Sequence, residues 1–397
     1  MDFQDTPEEA GFRSQVRDFI EQNLPSDWTP PVGGPGAIYD DPERAEFMKV
    51  WRKSLASRGW IAPHWPKEYG GAGMSPGEQF IFNEEMARHR APAEGGMGVQ
   101  MIGPTLILYG TDEQKKEHLP GITSGEVTWC QGYSEPGAGS DLASLQTRAI
   151  RDGDDYVVNG QKIWSSGAHR ANWMFFLART DPDAPKHRGI SMLLMPMSSP
   201  GITVQPLIDL AGEHIFNQEY FDNVRVPARN RVGEENRGWY VGATLLDFER
   251  SNIGASINLR NTVDDITRFA IEASRARNGT ARITDSIRNE LADRAAEAEV
   301  AKLFSYRIIS LQKRGQVPNH EASVNKMFRS ETDQRIAATG MKLIGMYGNA
   351  YKDPRFSPFK SRMPAMYLRS VASTIAAGTS EVQRNVIATR GLGLPRG

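Results

Sequence analysis

Cysteine is almost absent from this sequence of 397 residues, which contains only Cys130. One cysteine cannot form a disulfide within the chain, and a protein without disulfides is typical of a reducing cytoplasm. No run of residues approaches the roughly 18 apolar positions that a transmembrane helix needs. The N-terminal residues are acidic and amphipathic, unlike a secretory signal, so the sequence predicts a cytoplasmic protein without a membrane partner.

The sequence also has no excess of positive or negative charge, and its histidines do not have the spacing of metal ligands. The net charge is −1 and the pI about 6.7, which argues against nucleic acid or an anionic membrane as a partner. The seven histidines are scattered, so no metal site is predicted. Neither GxxxxGK nor a GxGxxG after a strand occurs, which argues against a P-loop and a Rossmann-type dinucleotide fold.

Hydrophobic periodicity divides the chain into three regions. Residues 1–126 carry mainly helical patterns. Over 127–237, short apolar stretches separated by glycine and proline predict strands. Long helical patterns return over 238–397. Helices and strands that are segregated along the chain favour an α+β fold over an alternating α/β sheet.

Two short-range signals predict local structure. Asn159-Gly160 lies between two β runs in "DYVVNGQKIW" and predicts a hairpin turn. In "STIAAGTSEVQRNVIATRGLG", residues 373–393, Ser380 is the predicted N-cap of a helix, and Gln383 completes a capping box. Ala376 and Ala377 precede that helix, and they raise the question of what chemistry such small side chains leave room for.

The stretch "WCQGYSEPGAGSDLASLQTRA", residues 129–149, is the most informative part of the sequence. Its glycines allow backbone N–H groups to approach a ligand closely, although the composition alone favours an ordinary surface loop. The stretch "VNGQKIWSSGA", which follows, supplies Trp164 beside two hydroxyls, Ser165 and Ser166. A lone tryptophan is usually a core residue and such hydroxyls are usually solvated, so neither stretch is decisive by itself.

Taken together, these stretches make the whole chain resemble the acyl-CoA dehydrogenase family. The motifs occur in the family's order and spacing: "GTDEQKKEHLPGITSGE" (110–126), "SEPGAGSD" (134–141), "VNGQKIWSSGA" (158–168), "FDNVRVP" (221–227), "NRVGEENRGW" (230–239) and "GTSEVQR" (378–384). The resemblance implies an N-terminal helical domain, a central β-barrel-like domain and a C-terminal four-helix bundle. The domains would cover residues 1–126, 127–237 and 238–397.

The resemblance also implies bound FAD and oxidation of an acyl-CoA to its 2,3-enoyl-CoA. The positions that match the family's FAD contacts within one subunit are Gln131, Tyr133, Ser134, Gly139, Ser140, Trp164, Ser166, Thr379 and Glu381. Among them, Trp164 would pack on the flavin and Ser166 would bind near its reactive N5. Thr379 and Glu381 would hold the diphosphate and sugar region, and a helix N-terminus suits that anion.

Family members also contact the FAD of a neighbouring subunit, and here the sequence departs from the family's pattern. The matching positions are Arg275, Lys342 and Gly345. The usual aromatic after the arginine is missing from "SRARNGTARITD", and Lys342 stands where many relatives carry glutamine. The cross-subunit part of the cofactor site is therefore less well supported by the resemblance than the rest.

The position of the catalytic base is another departure. Removal of a proton α to a thioester needs a carboxylate in a dry site. Many members place a glutamate two residues before the threonine of "GTS", but that position is Ala377. A branch that includes isovaleryl- and long-chain-type enzymes takes the base from the first long C-terminal helix. Here that position is Glu249, which lies on an apolar stripe with Leu245 and Ile253. A solvated glutamate, or one paired with Arg250, is the ordinary alternative.

The family also implies a role for the backbone at the two alanines. The thioester carbonyl would accept a hydrogen bond from the N–H of residue 377, and an alanine keeps that donor. Small side chains would also widen the acyl pocket, so we expect a branched, cyclic or otherwise bulky acyl group. The predicted substrate contacts are Ser140, Arg250, Ala376, Ala377 and Gly378, with a structural ion pair as an alternative for Arg250.

The sequence leaves open the electron acceptor, the number of identical subunits, and whether the chain is itself a complete enzyme. The resemblance implies an electron-transfer flavoprotein as acceptor, but an acyl-CoA oxidase on the same scaffold would pass electrons to oxygen. The assembly could be a homotetramer built as a dimer of dimers. Alternatively, the chain is a structural or half-site subunit of an α2β2 complex.

Overall fold

The chain is described by a computed structural model that covers residues 4–30, 38, 41–242, 253–276, 281, 283–353 and 355–395. The helices are α1 (Pro7–Asn23), α2 (Pro42–Ala56), α3 (Pro76–Arg88), α4 (Gly103–Tyr109), α5 (Asp112–Thr123), α6 (Ile253–Ala276), α7 (Asp285–Gln312), α8 (His320–Ile344), α9 (Arg362–Ser373) and α10 (Ser380–Val386). The strands are β1 (Trp129–Gly132), β2 (Arg148–Asp152), β3 (Asp155–Ile163), β4 (Trp173–Arg179), β5 (Ile190–Pro196), β6 (Ile202–Ile208), β7 (His214–Pro227) and β8 (Arg231–Val232). Helices at both ends of the chain and strands in the middle confirm the predicted α+β class.

The described chain forms two compact units. One unit comprises residues 1–37, 75–92 and 250–397, and the other comprises residues 38–74 and 93–249. The N-terminal helical region is thus shared, because α1 and α3 belong to the first unit and α2, α4 and α5 to the second. The domain boundaries near residues 126 and 237 remain a prediction about the order of regions along the chain.

The second unit contains one eight-stranded sheet. Its strands follow the order β6-β7-β3-β2-β4-β5-β8, and β1 pairs in parallel with β4. A buried core lies on this sheet, and its largest members are Tyr156, Phe176, Phe221, Met174, Met195 and Leu193. Alternation with period two places every second side chain of a strand on this core.

The predicted hairpin at Asn159-Gly160 is wrong. The chain runs through both residues as part of β3, and the β3–β7 register shifts between Val158 and Gly160, as in a β-bulge. Gly160 has φ 144°, and a Cβ there would lie 2.7 Å from the Cα of Thr147. The hairpin turn lies earlier, where Asp152 of β2 pairs with Asp155 of β3. Gly160 is therefore required by the bulge, and the chain does not reverse its direction there.

The first unit is a packed set of helices. Helices α6, α7 and α8 share a core with α9, and its members include Leu259, Val263, Ile266, Ala298, Ile336, Leu343 and Met363. N-terminal caps fix several helix starts: Thr6 and Glu9 form a capping box at α1, and Ser75 and Glu78 form one at α3. Within the described ranges, no helix is long and apolar enough to cross a membrane.

Candidate active site

The loop that follows β1 is held by hydrogen bonds on its inner side, and its outer side is free of atoms from the other described residues. Glu135 and Ala138 exchange two backbone hydrogen bonds of 3.0 Å, which close a tight turn after Tyr133 and Ser134. A Cβ added to Gly137 or Gly139 would meet no atom within 4 Å, so the outer side of this turn is open.

A buried ion pair holds this loop from beneath. The Glu135 carboxylate accepts hydrogen bonds from the N–H groups of Gln146 (2.6 Å) and Thr147 (2.9 Å) and from Lys162 Nζ (2.8 Å). Lys162 is fully buried and also donates to the Tyr133 carbonyl at 3.1 Å. Burial lowers the pKa of Lys162 to about 8, while the nearby Glu135 carboxylate opposes that effect. The loop therefore rests on a rigid, charge-compensated base.

The segment after β3 presents Trp164 to solvent in an unusual conformation. Trp164 has φ 66°, in the left-handed region that residues other than glycine rarely adopt. Its side chain is 58% exposed, although its ring meets the Phe216 ring edge-on at 5.9 Å. The hydroxyls of Ser134, Ser140 and Ser166 have no hydrogen-bond partner among the described residues.

These features fit the FAD that the sequence implies. An exposed indole offers a flat surface on which a flavin ring can pack. Three free hydroxyls and an open glycine turn offer hydrogen-bond donors and room for close approach. Gln131 and Tyr133 lie on or directly after β1, at the base of the same loop. The predicted contacts from residues 131 to 166 thus all belong to one of the two units.

A second group of predicted residues lies in the turn before α10, in the other unit. The predicted N-cap at Ser380 is wrong, because the N-cap is Thr379, whose hydroxyl accepts from Val382 N–H at 3.2 Å. Gln383 does not complete a capping box; its amide donates to the carbonyls of Ala377 (3.2 Å) and Gly378 (3.4 Å). The helix therefore begins one residue earlier than the sequence suggested.

Ala377 has a left-handed backbone held by distant residues. Its φ is 53° and that of Gly378 is 84°. Lys326 of α8 donates to the carbonyls of Ser373 (3.3 Å) and Gly378 (2.7 Å), on either side of this turn. No described residue accepts a hydrogen bond from the Ala377 N–H. The turn therefore leaves the Ala377 N–H without an acceptor among the described residues, as it does those of Gly378 and Thr379, and the Ala377 side chain is exposed.

Replacing Lys326 with methionine should loosen this turn. The change removes two charge-assisted hydrogen bonds and is expected to lower the free energy of unfolding by about 2 kcal/mol. Urea denaturation measures this loss. As a matched control, Glu331→Gln removes the exposed 2.7 Å ion pair between Arg384 and α8 and should cost less than about 1 kcal/mol. Equal losses in the two variants would contradict a special role for Lys326.

The three positions predicted to reach a neighbouring subunit all lie in the first unit. Arg275 is exposed in the last turn of α6. Lys342 is exposed in the last turn of α8, and its ammonium lies 2.9 Å from Glu290 of α7. Gly345 follows with φ 54° and no atom within 4 Å of an added Cβ. Glu381 is exposed in the first turn of α10.

The predicted base and its neighbour, Glu249 and Arg250, lie outside the described residues. Ile253, the next member of the predicted apolar stripe, begins α6 and is buried. It packs with Phe80 and Ile257 in a small hydrophobic cluster.

The residues that support the loop after β1 and the turn at Ala377 were not identified from the sequence. Lys162, Glu135 and Glu219 are charged residues in a β region and were not singled out, yet all three are buried. One signal was available: Lys162 continues the buried alternation of Tyr156 and Val158 along β3. Lys326 carried no comparable signal, because its partners lie about fifty residues away in the sequence.

Comparison with known protein families matches the chain in three consecutive segments. Residues 6–126 match the acyl-CoA dehydrogenase N-terminal domain, residues 130–224 its middle domain, and residues 236–392 its C-terminal domain. Together these models span nearly the whole chain in the order that the fold displays.

Individual relatives and solved structures agree with these matches. Acyl-CoA dehydrogenase IpdE1 of Mycobacterium tuberculosis is 36% identical over 390 residues, which cover 97% of each chain. The Tcur3481-Tcur3483 steroid ACAD is 33% identical with a TM-score of 0.85, and the match covers all of both chains. The ChsE4-ChsE5 complex from Mycobacterium tuberculosis is 34% identical with a TM-score of 0.81, again over all of both chains.

Proposed function

This chain belongs to the acyl-CoA dehydrogenase family, whose members depend on FAD, and we propose that it oxidises a bulky acyl-CoA to the 2,3-enoyl-CoA. The observation that carries the proposal is the turn at Ala377, which combines a small side chain with an unused backbone N–H. The small side chain leaves space for a wide acyl group, and the N–H is a donor for its thioester carbonyl.

The Ala377 N–H would lower the barrier to proton removal by binding the thioester oxygen. Negative charge builds on that oxygen as the α-proton leaves, and a donor already fixed in place stabilises it without reorganisation. Lys326 and Gln383 hold the turn from two sides, which supports a fixed donor. Gly378 and Ser140 are proposed to contact the same substrate.

Glu249 is the proposed base that removes the α-proton. Position 377 carries no acid, and Glu249 matches the base of the branch that includes isovaleryl- and long-chain-type enzymes. The burial of Ile253, four residues later, supports the predicted apolar stripe on which Glu249 would lie. Arg250 is proposed to lie near the acyl group.

FAD is proposed to bind against the loop of residues 131–140 and the segment 164–166. When bound, it supplies the acceptor for the hydride that leaves the β-carbon. Trp164 would hold the plane of the ring, and the hydroxyls of Ser134 and Ser166 would bind its polar edge. Thr379 and Glu381 are proposed to bind the diphosphate and sugar region, with Arg275, Lys342 and Gly345 at the FAD of a neighbouring subunit.

The substrate class can be tested with a panel of acyl-CoAs added anaerobically to the purified yellow protein. We expect polycyclic or branched acyl-CoAs to bleach the flavin band with a kcat/KM at least about tenfold above that of straight-chain C4–C8 compounds. The similarity to a steroid ACAD supports this choice of panel. A preference for straight chains would overturn the bulky-substrate proposal.

Ala376→Leu provides a matched variant for this test. The added side chain should narrow the pocket while the backbone hydrogen bond from Ala376 to Ala372 is kept. The kcat/KM for bulky acyl-CoAs should fall about tenfold, and that for straight chains should change little. An equal fall for both classes would mean that residue 376 does not form the wall of the acyl pocket.

A half-site subunit of an α2β2 complex is the second candidate function. The similarity to the ChsE4-ChsE5 complex and the departures near Arg275 and Lys342 favour this possibility. Size-exclusion chromatography of the chain alone, with measurement of FAD per subunit, distinguishes the two. A homotetramer with one FAD per chain supports the active dehydrogenase, whereas a colourless protein that gains FAD only with a partner supports the half-site subunit.

The acceptor and the location complete the proposal. An electron-transfer flavoprotein is the proposed acceptor, and hydrogen peroxide formed without any added acceptor would identify an oxidase instead. A cytoplasmic location is proposed because Cys130 is the only cysteine and its side chain is buried.

A further inference from the structure

Ser165 is bound to one strand by every polar group that it has. Its N–H donates to the Asn217 carbonyl at 3.2 Å, and its carbonyl accepts from Asn217 Nδ2 at 2.9 Å. Its hydroxyl donates to Glu219 Oε2 at 2.7 Å. Ser165, Asn217 and Glu219 are all buried. The Asn217 backbone and the side chains of Asn217 and Glu219, all on β7, therefore hold this residue in place.

The residues on either side of Ser165 are the ones that face outward. Trp164 is exposed and left-handed, and Ser166 has a hydroxyl without a partner among the described residues. A left-handed conformation at a bulky residue persists only where its surroundings determine it. The buried attachment of Ser165 supplies that constraint, since it lies directly beside the strained residue.

The same charged groups support both stretches that are proposed to face the cofactor. Lys162 and Glu219 lie opposite each other in the β3–β7 register. Lys162 holds the Tyr133 carbonyl and Glu135, while Glu219 holds the Ser165 hydroxyl. Substitution of Lys162 or Glu219 should therefore change the conformation of the exposed residues in both the loop after β1 and the segment 164–166.

We propose that Glu219 is a positioning residue for the cofactor site, and that it fixes Trp164 and Ser166 through its hydrogen bond with Ser165. The inference rests on the proposed function, because it takes the flavin as the ligand of this segment. Glu219 does not take part in the reaction itself; its carboxyl acts on the exposed residues through one buried hydroxyl.

The ionisation of Glu219 gives this role a measurable signature. Burial raises the pKa of Glu219 to about 7, although the hydrogen bond from Ser165 and the charge of Lys162 oppose the effect. Its second oxygen, Oε1, has no hydrogen-bond partner among the described residues. The other titratable groups around this carboxyl and its partners are Lys162, Cys130, Glu135, His169 and His214.

Two histidines, His169 and His214, also contact Asn217 of this strand. His169 and His214 stack with ring centroids 3.9 Å apart, and both donate to Asn217 Oδ1. Burial, His214 and Arg170 lower the pKa of His169. Glu219→Gln removes the carboxyl and leaves both histidines in place, so a transition near pH 7 that this variant lacks belongs to Glu219.

The sign of the stability effect follows from the raised pKa. The folded chain holds a proton on Glu219 that the unfolded chain releases above its ordinary pKa of 4.5. This contribution is present at low pH and is lost as the pH rises toward about 7. The thermal midpoint should fall more over this range in the wild type than in Glu219→Gln, which cannot ionise.

The test uses three variants of the FAD-loaded full chain. Glu219→Gln keeps an acceptor for Ser165, Glu219→Leu removes the acceptor, and Ser165→Ala removes only the donor oxygen. The readouts are the visible circular dichroism of bound flavin, the FAD dissociation constant and their dependence on pH. Ser165→Ala deletes a single atom, so it remains informative if Glu219→Leu fails to fold.

We expect Glu219→Leu and Ser165→Ala to change the flavin circular dichroism alike and to raise the FAD dissociation constant about 3- to 10-fold. Their combination should be no worse than either alone, because both remove one interaction. Glu219→Gln should match the wild type at pH 6 and lack its transition near pH 7. Wild-type spectra and affinity in both Ser165→Ala and Glu219→Leu would overturn the proposal.

The same data separate this inference from the proposed function. A wild type that binds FAD but is bleached by no acyl-CoA would overturn the proposed function, and the three variants would still decide the role of Glu219. A chain that binds no FAD, either alone or with a partner subunit, would overturn both. Full dehydrogenase activity with unchanged flavin spectra in all variants would leave the proposed function intact and remove only the role of Glu219.

Discussion

Glu249→Gln is expected to lower kcat for the acyl-CoA that bleaches the wild type best by about 10²- to 10⁴-fold while FAD stays bound. Glutamine has nearly the same shape as glutamate but cannot accept the α-proton at neutral pH. Ala377 offers no carboxylate in its place. Anaerobic stopped-flow absorbance, with the flavin band as the signal, measures the rate of the first turnover directly.

Asp247→Asn is a suitable control for this result. Asp247 is an acid two residues earlier in the sequence, and on the predicted helix residues two apart would not face each other. It should reduce kcat less than about threefold, whereas a similar loss in both variants would indicate a general disturbance of the segment. Bleaching of Glu249→Gln at the wild-type rate would place the base elsewhere. In that case, no identified residue would replace the acid that is missing at position 377.

The sequence predicted most of the regular structure because long periodic patterns determine it locally. The long helices α7, Asp285–Gln312, and α8, His320–Ile344, lie within residues 238–397, where long helical patterns were predicted. The strands from β4 to β7 likewise lie within residues 127–237, where short apolar stretches between glycine and proline predicted strands. A buried stripe or face repeats over many residues, so a single irregular position does not change the prediction.

The errors occurred where a local signal competed with a distant partner. Asn159-Gly160 has the composition of a hairpin turn, but Asn223 of β7 donates its N–H to the Asn159 side chain at 2.9 Å and keeps the strand paired through the bulge. The left-handed backbone of Ala377 was not predicted, because it depends on Lys326 in another helix. Neither partner can be identified from the residues adjacent in sequence.

The candidate site divides in the same way between predictable and unpredictable parts. Residues such as Trp164 and Ser140 were found because they match motifs of a known family. The residues that hold them in place, Lys162 and Glu219, were not found, because a charged residue in a strand is usually exposed. Their burial is a property of the β3–β7 pairing, which only the folded chain reveals.

The buried pair beneath the cofactor loop leads to the second prediction of large effect. Lys162→Met is expected to lower the free energy of unfolding by about 3–5 kcal/mol, because it leaves the Glu135 carboxylate buried without its cation. The two backbone donors from Gln146 and Thr147 remain, but they cannot compensate a full charge. The shift in the urea midpoint measures the loss, with far-UV circular dichroism as the signal.

A second lysine of the same unit supplies the matched control. Lys186 lies 2.7 Å from Asp141, and both side chains are exposed, so Lys186→Met should cost less than about 1 kcal/mol. The double variant Lys162→Met with Glu135→Gln should lose less than the sum of its two single variants, since neither charge is then left buried alone. If Lys162→Met were no less stable than Lys186→Met, the N–H groups of Gln146 and Thr147 would be sufficient to stabilise the Glu135 carboxyl without its cation. The rigidity of the cofactor loop would then have to come from its backbone hydrogen bonds, among them the two between Glu135 and Ala138.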